Sequence, residues 1–495
     1  MKKLLVYLLC VTLLLGLSLS PAIAAADSGE AVTTVLYVVP GDEPKDLAGG
    51  LQAINDKLLA DGVGVELELK YIPWDAWDQK INLMLSTGEA FDLFQVMNDR
   101  VSLANYASRG ALTDISAAVQ EYGESILAVN PDIMMKSGQV DGVQYAIPAY
   151  WVESALDPEI SIRKDILDAN GLEVPTTFEE LTAAFETVMA NWDGAQKPYI
   201  PLIGANTSRF GLASMTYDEW PYVIYDKVFL VAQDGTVSNY FASDIFRKDC
   251  ENARLWYEKG LISPDVLTTT SDQLNNQLNS GDWFVHAGTV GDITQIKKNY
   301  PDITTDDFIS LNLAPEKTRI RPYGTRNMNA VPAASKNPEG AVKFLNWVYT
   351  SQENYDLMVY GREGIDYTIV GDRSINVLSD PVTGTPGYSF ADWMIGNVAY
   401  LRTSITAPKA TVDALYTLND SAVEGYAAKF TFDASDVQTQ YADVQTQIAA
   451  VIAPIACGVV DYESNIDNAL ALLEAAGVDE LVAAFQAQLD ASKAE

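Results

Sequence analysis

Over its first hundred residues the chain alternates between two apolar periods, and this restricts the possible folds more than any other feature. Val35 to Val39 (VLYVV) is a continuous apolar run of strand length, ended by Pro40-Gly41-Asp42. From Leu47 to Leu59 the positions Leu51, Ile54 and Leu58 share one helical face. Val65 to Ile72 (VELELKYI) then alternates with the period of two that a strand with one buried face requires. Pro73 opens a helix carrying Trp77, Ile81, Met84 and Leu85. Thr87-Gly88-Glu89 stops it before the next strand, Phe91 to Val96. A β-α-β-α-β order is met by a parallel sheet with helices packed on its faces, so the expected fold class is α/β.

The remaining punctuation extends that plan. Gly110 to Pro148 reads as helix and loop, with a strand over Val143 to Ile147 leading out of the first unit. Residues 160 to 300 are helix-dominated, with strand candidates at Tyr199 to Ile203 and Trp283 to Ala287. Arg163 to Ala169 reads as a helix closed by Asn170-Gly171, because glycine tolerates the left-handed turn. Its charges, Arg163 and Lys164, belong on a helix surface. Thr177 with Glu180 is spaced as a capping box for the following helix. Asn329 to Ala333 is short and apolar, and Pro338-Glu-Gly starts an amphipathic helix carrying Val342, Leu345 and Trp347-Val348. Near the end, Ser435-Asp-Val-Gln-Thr-Gln is echoed seven residues later, which puts Val437, Tyr441, Val444 and Ile448 on one stripe. One heptad echo is a core-facing helix, not a repeat protein. No Pro- or Ser-rich linker divides the chain, so its lobes are expected to interleave.

Residues 1–24 have the form of an export signal: Lys2 and Lys3, an apolar Leu4 to Leu19, and a small-x-small site at Ala22-Ile23-Ala24. Cleavage near Ala24 would leave an extracytoplasmic chain. Cys10 sits inside the apolar region and does not resemble a lipobox cysteine. Roughly 470 residues would remain, enough for two or three domains with substantial cores. A formal net charge of −35 repels nucleic acid and anionic lipid, and neither is an expected partner. Cys250 and Cys457 define no disulfide framework and are expected as two buried free thiols. The single histidine, His286, excludes HExxH sites and other multi-histidine metal centres. No GxSxG elbow is present, and no metal, cofactor or catalytic residue is assigned.

Six segments, in order, resemble one family. They are Ser86-Thr-Gly-Glu-Ala-Phe-Asp-Leu-Phe94, Tyr106-Ala-Ser-Arg-Gly-Ala-Leu-Thr-Asp114, Asp141-Gly-Val-Gln-Tyr-Ala-Ile-Pro148, the run from Ile160 to Leu181, Ala334 to Leu345, and Tyr360-Gly-Arg-Glu-Gly-Ile-Asp-Tyr367. Together they resemble family-1 extracellular solute-binding proteins, the capture subunits of ABC importers, in a subgroup with a DUF3502-like (LipO-like) C-terminal section. The resemblance implies a two-lobed, type II periplasmic-binding-protein-like fold with interleaved lobes and a hinge. It places residues 33–148 with 325–375 in a first α/β lobe, and 149–324 with 376–495 in a second, helix-rich lobe. It implies a monomer that captures a small molecule, a carbohydrate or oligosaccharide foremost, by lobe closure and delivers it to transporter permease subunits.

Candidate contacts follow from position. Asp42 and Asn98-Asp99-Arg100 lie at the carboxyl ends of strands expected to be parallel, the usual ligand edge of such sheets. Trp74 follows a strand end in the same way. Tyr150 and Trp151 come straight after the hinge-leading Pro148, with Glu153 facing ligand or pairing across the hinge. Arg326 and Asn327 precede the returning strand, and Trp393 lies in a late loop that resembles one donating an aromatic ring in the family. Trp283 and Trp220 complete the set, whereas Trp77 and Trp347 sit on apolar helical stripes as core. Flat aromatic faces with amides, arginines and carboxylates around them suit sugar rings. Two other readings compete: a secreted glycoside hydrolase with paired carboxylates, and a receptor domain that senses a ligand.

Overall fold

A computed structural model describes residues 32–98, 100–151, 160–194, 196–205, 207–212, 216–288, 290–380, 385–408, 412 and 422–494 of the chain. The export signal, Asp99 and Glu153 lie outside the described residues.

The first lobe is built on a five-stranded sheet in the order Val65–Ile72, Thr33–Pro40, Leu93–Met97, Asn327–Ala330, Ala146–Pro148. The first three strands are parallel, as the alternating pattern requires. The sheet as a whole is mixed, because Asn327–Ala330 runs antiparallel to both its neighbours. That strand returns from the other lobe rather than through a helical crossover, so the rule for β-α-β units does not bind it. Both sheet faces are buried, which explains the continuous apolar runs. On one face Tyr37, Val39, Ile54 and Leu58 meet the helix Pro338–Thr350 through Phe344, Leu345 and Val348. On the other, Val38, Phe94 and Met328 pack against Trp77, Ile81 and Met84 of the helix Trp77–Thr87.

The second lobe carries two three-stranded sheets, besides a short pairing of Ile320–Arg321 with Val423–Glu424. Val285–Ala287, Ile160–Arg163 and Phe308–Leu311 form one, antiparallel throughout, over a core that includes Phe185 and Trp256. Tyr222–Tyr225, Phe229–Ala232 and Val237–Asn239 form the other. It packs on the C-terminal helices, where Val444 and Ile448 are buried and Val437 and Tyr441 partly so, as the heptad echo requires. Cys250 and Cys457 are both free and buried.

Several local expectations change. Ile160–Arg163 is a strand and the helix starts at Lys164. Arg163 is therefore wholly buried, not a surface charge. Its guanidinium is matched by the Asp165 carboxylate at 2.7 and 2.5 Å and the Gly281 carbonyl at 2.6 Å, and lies 4.4 Å from the Tyr300 ring. These partners offset the desolvation that an isolated buried cation would suffer. The Thr177 hydroxyl accepts from Glu180 N–H at 3.1 Å, but the Glu180 carboxylate reaches one residue further back, to Thr176 N–H and hydroxyl at 2.8 Å each. Tyr199 to Ile203 joins none of the described sheets and has no regular secondary structure.

The boundary expected at 376 also moves. Tyr388, Phe390, Met394 and Ile395 lie in the first lobe's core. The Tyr360–Tyr367 segment explains part of this: Arg362 holds Asp366 at 2.7 Å and Asp46, the N-cap of the helix Leu47–Ala60, at 2.6 Å. It staples a late segment onto an early one. Three crossing segments then run side by side. Ala149 N–H donates to Asn327 O at 2.9 Å, and Tyr150 N–H to Gly396 O at 2.8 Å. Val398 N–H returns to Tyr150 O at 3.1 Å, and the buried Thr325 hydroxyl donates to Ala149 O at 3.1 Å. This bundle of three strands of chain is the hinge of a two-lobed, interleaved α/β protein.

Candidate functional site

The lobes face each other across a cavity of about 1200 Å³, with walls drawn from both and from the crossing segments. Ordinary small-molecule pockets span roughly 300–1,000 Å³, so this one accepts a large or extended ligand.

The first lobe's wall is aromatic. Pro73 ends the strand Val65–Ile72, and the chain turns through a 3-10 segment, Trp74–Ala76, at the carboxyl edge of the parallel strands. That turn sets Trp74 into the cavity, where Trp393 meets it with ring centroids 5.9 Å apart and planes inclined at 29°. Arg100 lies 5.7 Å from the centre of the Trp74 ring, within cation-π range. It is also gripped by both oxygens of Asp78, at 2.6 and 3.2 Å, which fixes its planar fork. Trp151 enters from the hinge, with Gly396 packed against it. A Cβ on that glycine would sit 3.0 Å from the indole carbon Cε3.

The second lobe's wall is polar. Arg209 is set between the carboxylates of Glu219 and the fully buried Asp249, 3.3 Å from the latter. Burial opposes its charge, but the two carboxylates outweigh that and hold the guanidinium well above its ordinary pKa. The Tyr240 hydroxyl donates to Asp249 at 3.1 Å, and burial raises that phenol's pKa far above the usual value. Asp226 and Lys227 reach the cavity from the hairpin turn between Tyr222–Tyr225 and Phe229–Ala232. Both are in the left-handed region, at φ +48° and +64°, a cost that surrounding structure must sustain. Thr268 to Ser271 line the cavity at the start of the helix Ser271–Ser280, whose capping box is Thr270 with Gln273.

Six of the expected contacts therefore meet at one cavity: Trp74, Arg100, Trp151, Arg326, Asn327 and Trp393. Four do not. Asp42 is solvent-exposed beyond the wall. Asn98 spends its side-chain oxygen on Leu103 N–H, at 3.0 Å, at the start of a helix. Tyr150 is used through its backbone in the hinge ladder. Trp283 is core: only 1% exposed, it packs with Ile293, Ile296 and Phe308 and donates from its indole to Leu278 O at 3.1 Å. His286 packs edge-on against it, and burial pushes that imidazole down to about 4. Trp220 likewise packs on the C-terminal core. Arg209, the Asp226-Lys227 turn and the Thr268–Ser271 run were not found from sequence. Only the last left a signal, a run of hydroxyls ending in a capping-box spacing.

Beside the aromatic wall, Asp392 opens the single helical turn Asp392–Ile395 on which Trp393 stands. Burial pushes its carboxyl up to about 6, although Trp393 N–H donates to it at 2.9 Å.

Comparison with known proteins agrees with this fold. The family model described as "Bacterial extracellular solute-binding protein" matches residues 42–355, and the domain of unknown function DUF3502 matches residues 426–494. A carbohydrate ABC transporter substrate-binding protein of Streptococcus pneumoniae serotype 4 is 23% identical over 469 residues, covering 92% of this chain and 90% of the relative. Lipoprotein LipO of Bacillus subtilis (strain 168) is 21% identical over 334 residues, 65% of this chain and 63% of the relative. The crystal structure of the N-glycan transport solute-binding protein NgtS from Streptococcus pneumoniae with Man1GlcNAc superposes with a TM-score of 0.73 at 20% identity, covering 92% of this chain and 99% of that one. The FusA substrate-binding protein from S. pneumoniae, in complex with kestose, gives 0.64 at 18% identity, covering 93% and 99%. At such identities the structural likeness is one of fold.

Proposed function

We propose, from the premise that this chain belongs to the bacterial extracellular solute-binding protein family, that it captures an oligosaccharide between its lobes and delivers it to an ABC importer. One observation carries the reading: the stacked Trp74–Trp393 pair and Trp151 face a hydroxyl- and charge-rich wall across a single large cavity. Sugar rings present an apolar face to indole and hydroxyls at their rims, which this division of the walls suits. The related proteins whose names specify carbohydrate, N-glycan or kestose support the same class.

Closure follows from contacts that only the closed state makes. A ligand held by Trp74 and Trp393 alone leaves the hinge equilibrium unchanged; one that also meets Arg209 or Thr268–Ser271 shifts it. Moving such an equilibrium from 1:99 to 99:1 takes about 5.5 kcal/mol of differential binding. Several hydrogen bonds to charged groups, at about 1.5–3 kcal/mol each, reach that range. The mature chain begins near Ala25, acts as a monomer and docks its closed form on permease subunits. Among the described residues no helix is long and apolar enough to cross a membrane. For the hydrolase reading the carboxylates on the cavity are Asp75, Asp78 and Asp226, and Asp78, beside the tryptophan pair, is already engaged by Arg100.

Native mass spectrometry of the secreted protein tests this directly. The expected result is a one-to-one complex with a glycan, and small-angle scattering that shows compaction when the glycan is restored. A protein that neither binds nor compacts with any glycan of a broad panel refutes the reading.

A further inference from the structure

A single helical turn has little stability of its own, because its first hydrogen bond must offset the ordering of several residues. Asp392–Ile395 is such a turn: four residues long, without a side-chain cap at Ala391, and carrying Trp393. Its order comes from first-lobe side chains. Asn329, fully buried in the strand Asn327–Ala330, donates from Nδ2 to the Met394 carbonyl at 3.0 Å. Tyr349, on the helix Pro338–Thr350, donates its hydroxyl to the next carbonyl, Ile395 O, at 2.8 Å. Two donors from different elements on successive carbonyls fix both the place and the rotation of the turn.

The opposite end of the Asn329 amide is also used, since the buried Tyr37 hydroxyl donates to its Oδ1. Tyr37 lies on the same face of the sheet, two strands away, and its hydroxyl is also 3.3 Å from Gln95, the residue paired with Asn329 across the ladder. A primary amide buried in an interior strand of a sheet is costly unless both its ends are bonded. A leucine of similar size would pack there without that cost. What leucine cannot do is hold one backbone carbonyl in one place.

We propose that Asn329 is a positioning residue of the cleft: by holding the Met394 carbonyl it fixes the turn that carries Trp393, and so sets the Trp74–Trp393 stack. This rests on the reading that the stack faces the ligand. Asn329 itself does not line the cavity, whereas Asn327, two residues earlier on the same strand, does. The strand thus contributes one amide to the wall and a second to the support of the wall's aromatic half.

The test compares two variants of the full chain. Asn329→Leu keeps the volume and removes the bond to Met394. Tyr37→Phe disturbs the same buried network but leaves Asn329 Nδ2 on Met394. The readout is the far-ultraviolet exciton couplet of the stacked tryptophans, taken as the wild-type circular dichroism minus that of Trp393→Phe. Asn329→Leu is expected to lose the couplet and Tyr37→Phe to keep it, although both lower the melting temperature. Should Asn329→Leu fail to fold, Asn329→Ser, too short to reach Met394, gives the same comparison. A full couplet in the folded Asn329 variant overturns the proposal. With Man5GlcNAc as probe, binding is expected to weaken roughly tenfold in the Asn329 variant and to change less than about twofold in Tyr37→Phe. If the couplet is lost as expected while wild type binds neither this glycan nor any other, the positioning role stands and the oligosaccharide reading falls.

Discussion

Replacing Arg209 with methionine removes the one guanidinium set between Glu219 and Asp249 while keeping most of its volume. Asp249 has no exposed surface, and the Tyr240 hydroxyl at 3.1 Å stays beside it as a neutral donor. Glu219 keeps Lys317, at 4.0 Å. Breaking a buried pair from one side costs about 3–5 kcal/mol, because the other charge is left uncompensated. For a cooperative unit of roughly 150–250 residues each kcal/mol lowers Tm by about 2–4 °C, so the expected fall is roughly 6–20 °C. The deficit also depends on pH. In Arg209→Met the buried Asp249 carboxyl, stripped of its guanidinium, is expected to have a folded pKa above its unfolded value of about 3.9, so the folded state holds an extra proton between the two. The penalty is therefore full at pH 7 and shrinks as pH falls through the raised pKa. Calorimetric melts of wild type and variant, paired at each pH, measure it, and Arg209→Met with Asp249→Asn is expected to recover most of the loss. A deficit below about 1 kcal/mol at pH 7, or one that stays equal at pH 4.5, refutes the reasoning.

Trp74→Ala and Trp393→Ala are each expected to weaken glycan binding by about 2 kcal/mol, near thirtyfold, while Trp283→Phe leaves titrated affinity unchanged because Trp283 is core. Asp392, pushed up to about 6 by burial, holds an extra proton in the folded state. The stability this adds is present below about pH 4 and lost as pH rises through 6, so Asp392→Asn should raise neutral-pH stability by at most about 3 kcal/mol. The gain should vanish on acidification, and melts that differ equally at pH 7 and pH 4 contradict it. Gly396→Ala places a Cβ 3.0 Å from both Trp151 Cε3 and Tyr150 O, which should displace the indole, lower glycan affinity and quench differently in steady-state fluorescence. An unchanged Trp151 environment counts against close packing there.

How much of this was legible depends on whether a feature is local. The strands and helices between residues 33 and 97 could be read because each side chain's burial repeats with its own element's period. Trp74 followed from the rule that ligand edges form where parallel strands end, and Trp151 from its place after Pro148. Arg163 was misread because the chain before a helix can pair as a strand only if partners exist, and those partners, Val285–Ala287 and Phe308–Leu311, lie more than a hundred residues away. Trp283 and Trp393 are alike in sequence, each directly after an aspartate. One faces Ile293 and Ile296, the other Trp74, and only packing distinguishes them. Arg209 needed Asp249, and the Trp393 turn needed Asn329.

Sequence alone therefore determined the α/β class, the parallel half of the first sheet and one edge of the cleft, because periodicity and strand ends are properties of short stretches. The return strand's direction, the second wall and the supports behind the aromatic pair were decided by tertiary structure. Each depends on which distant segment supplies the complementary surface, donor or charge.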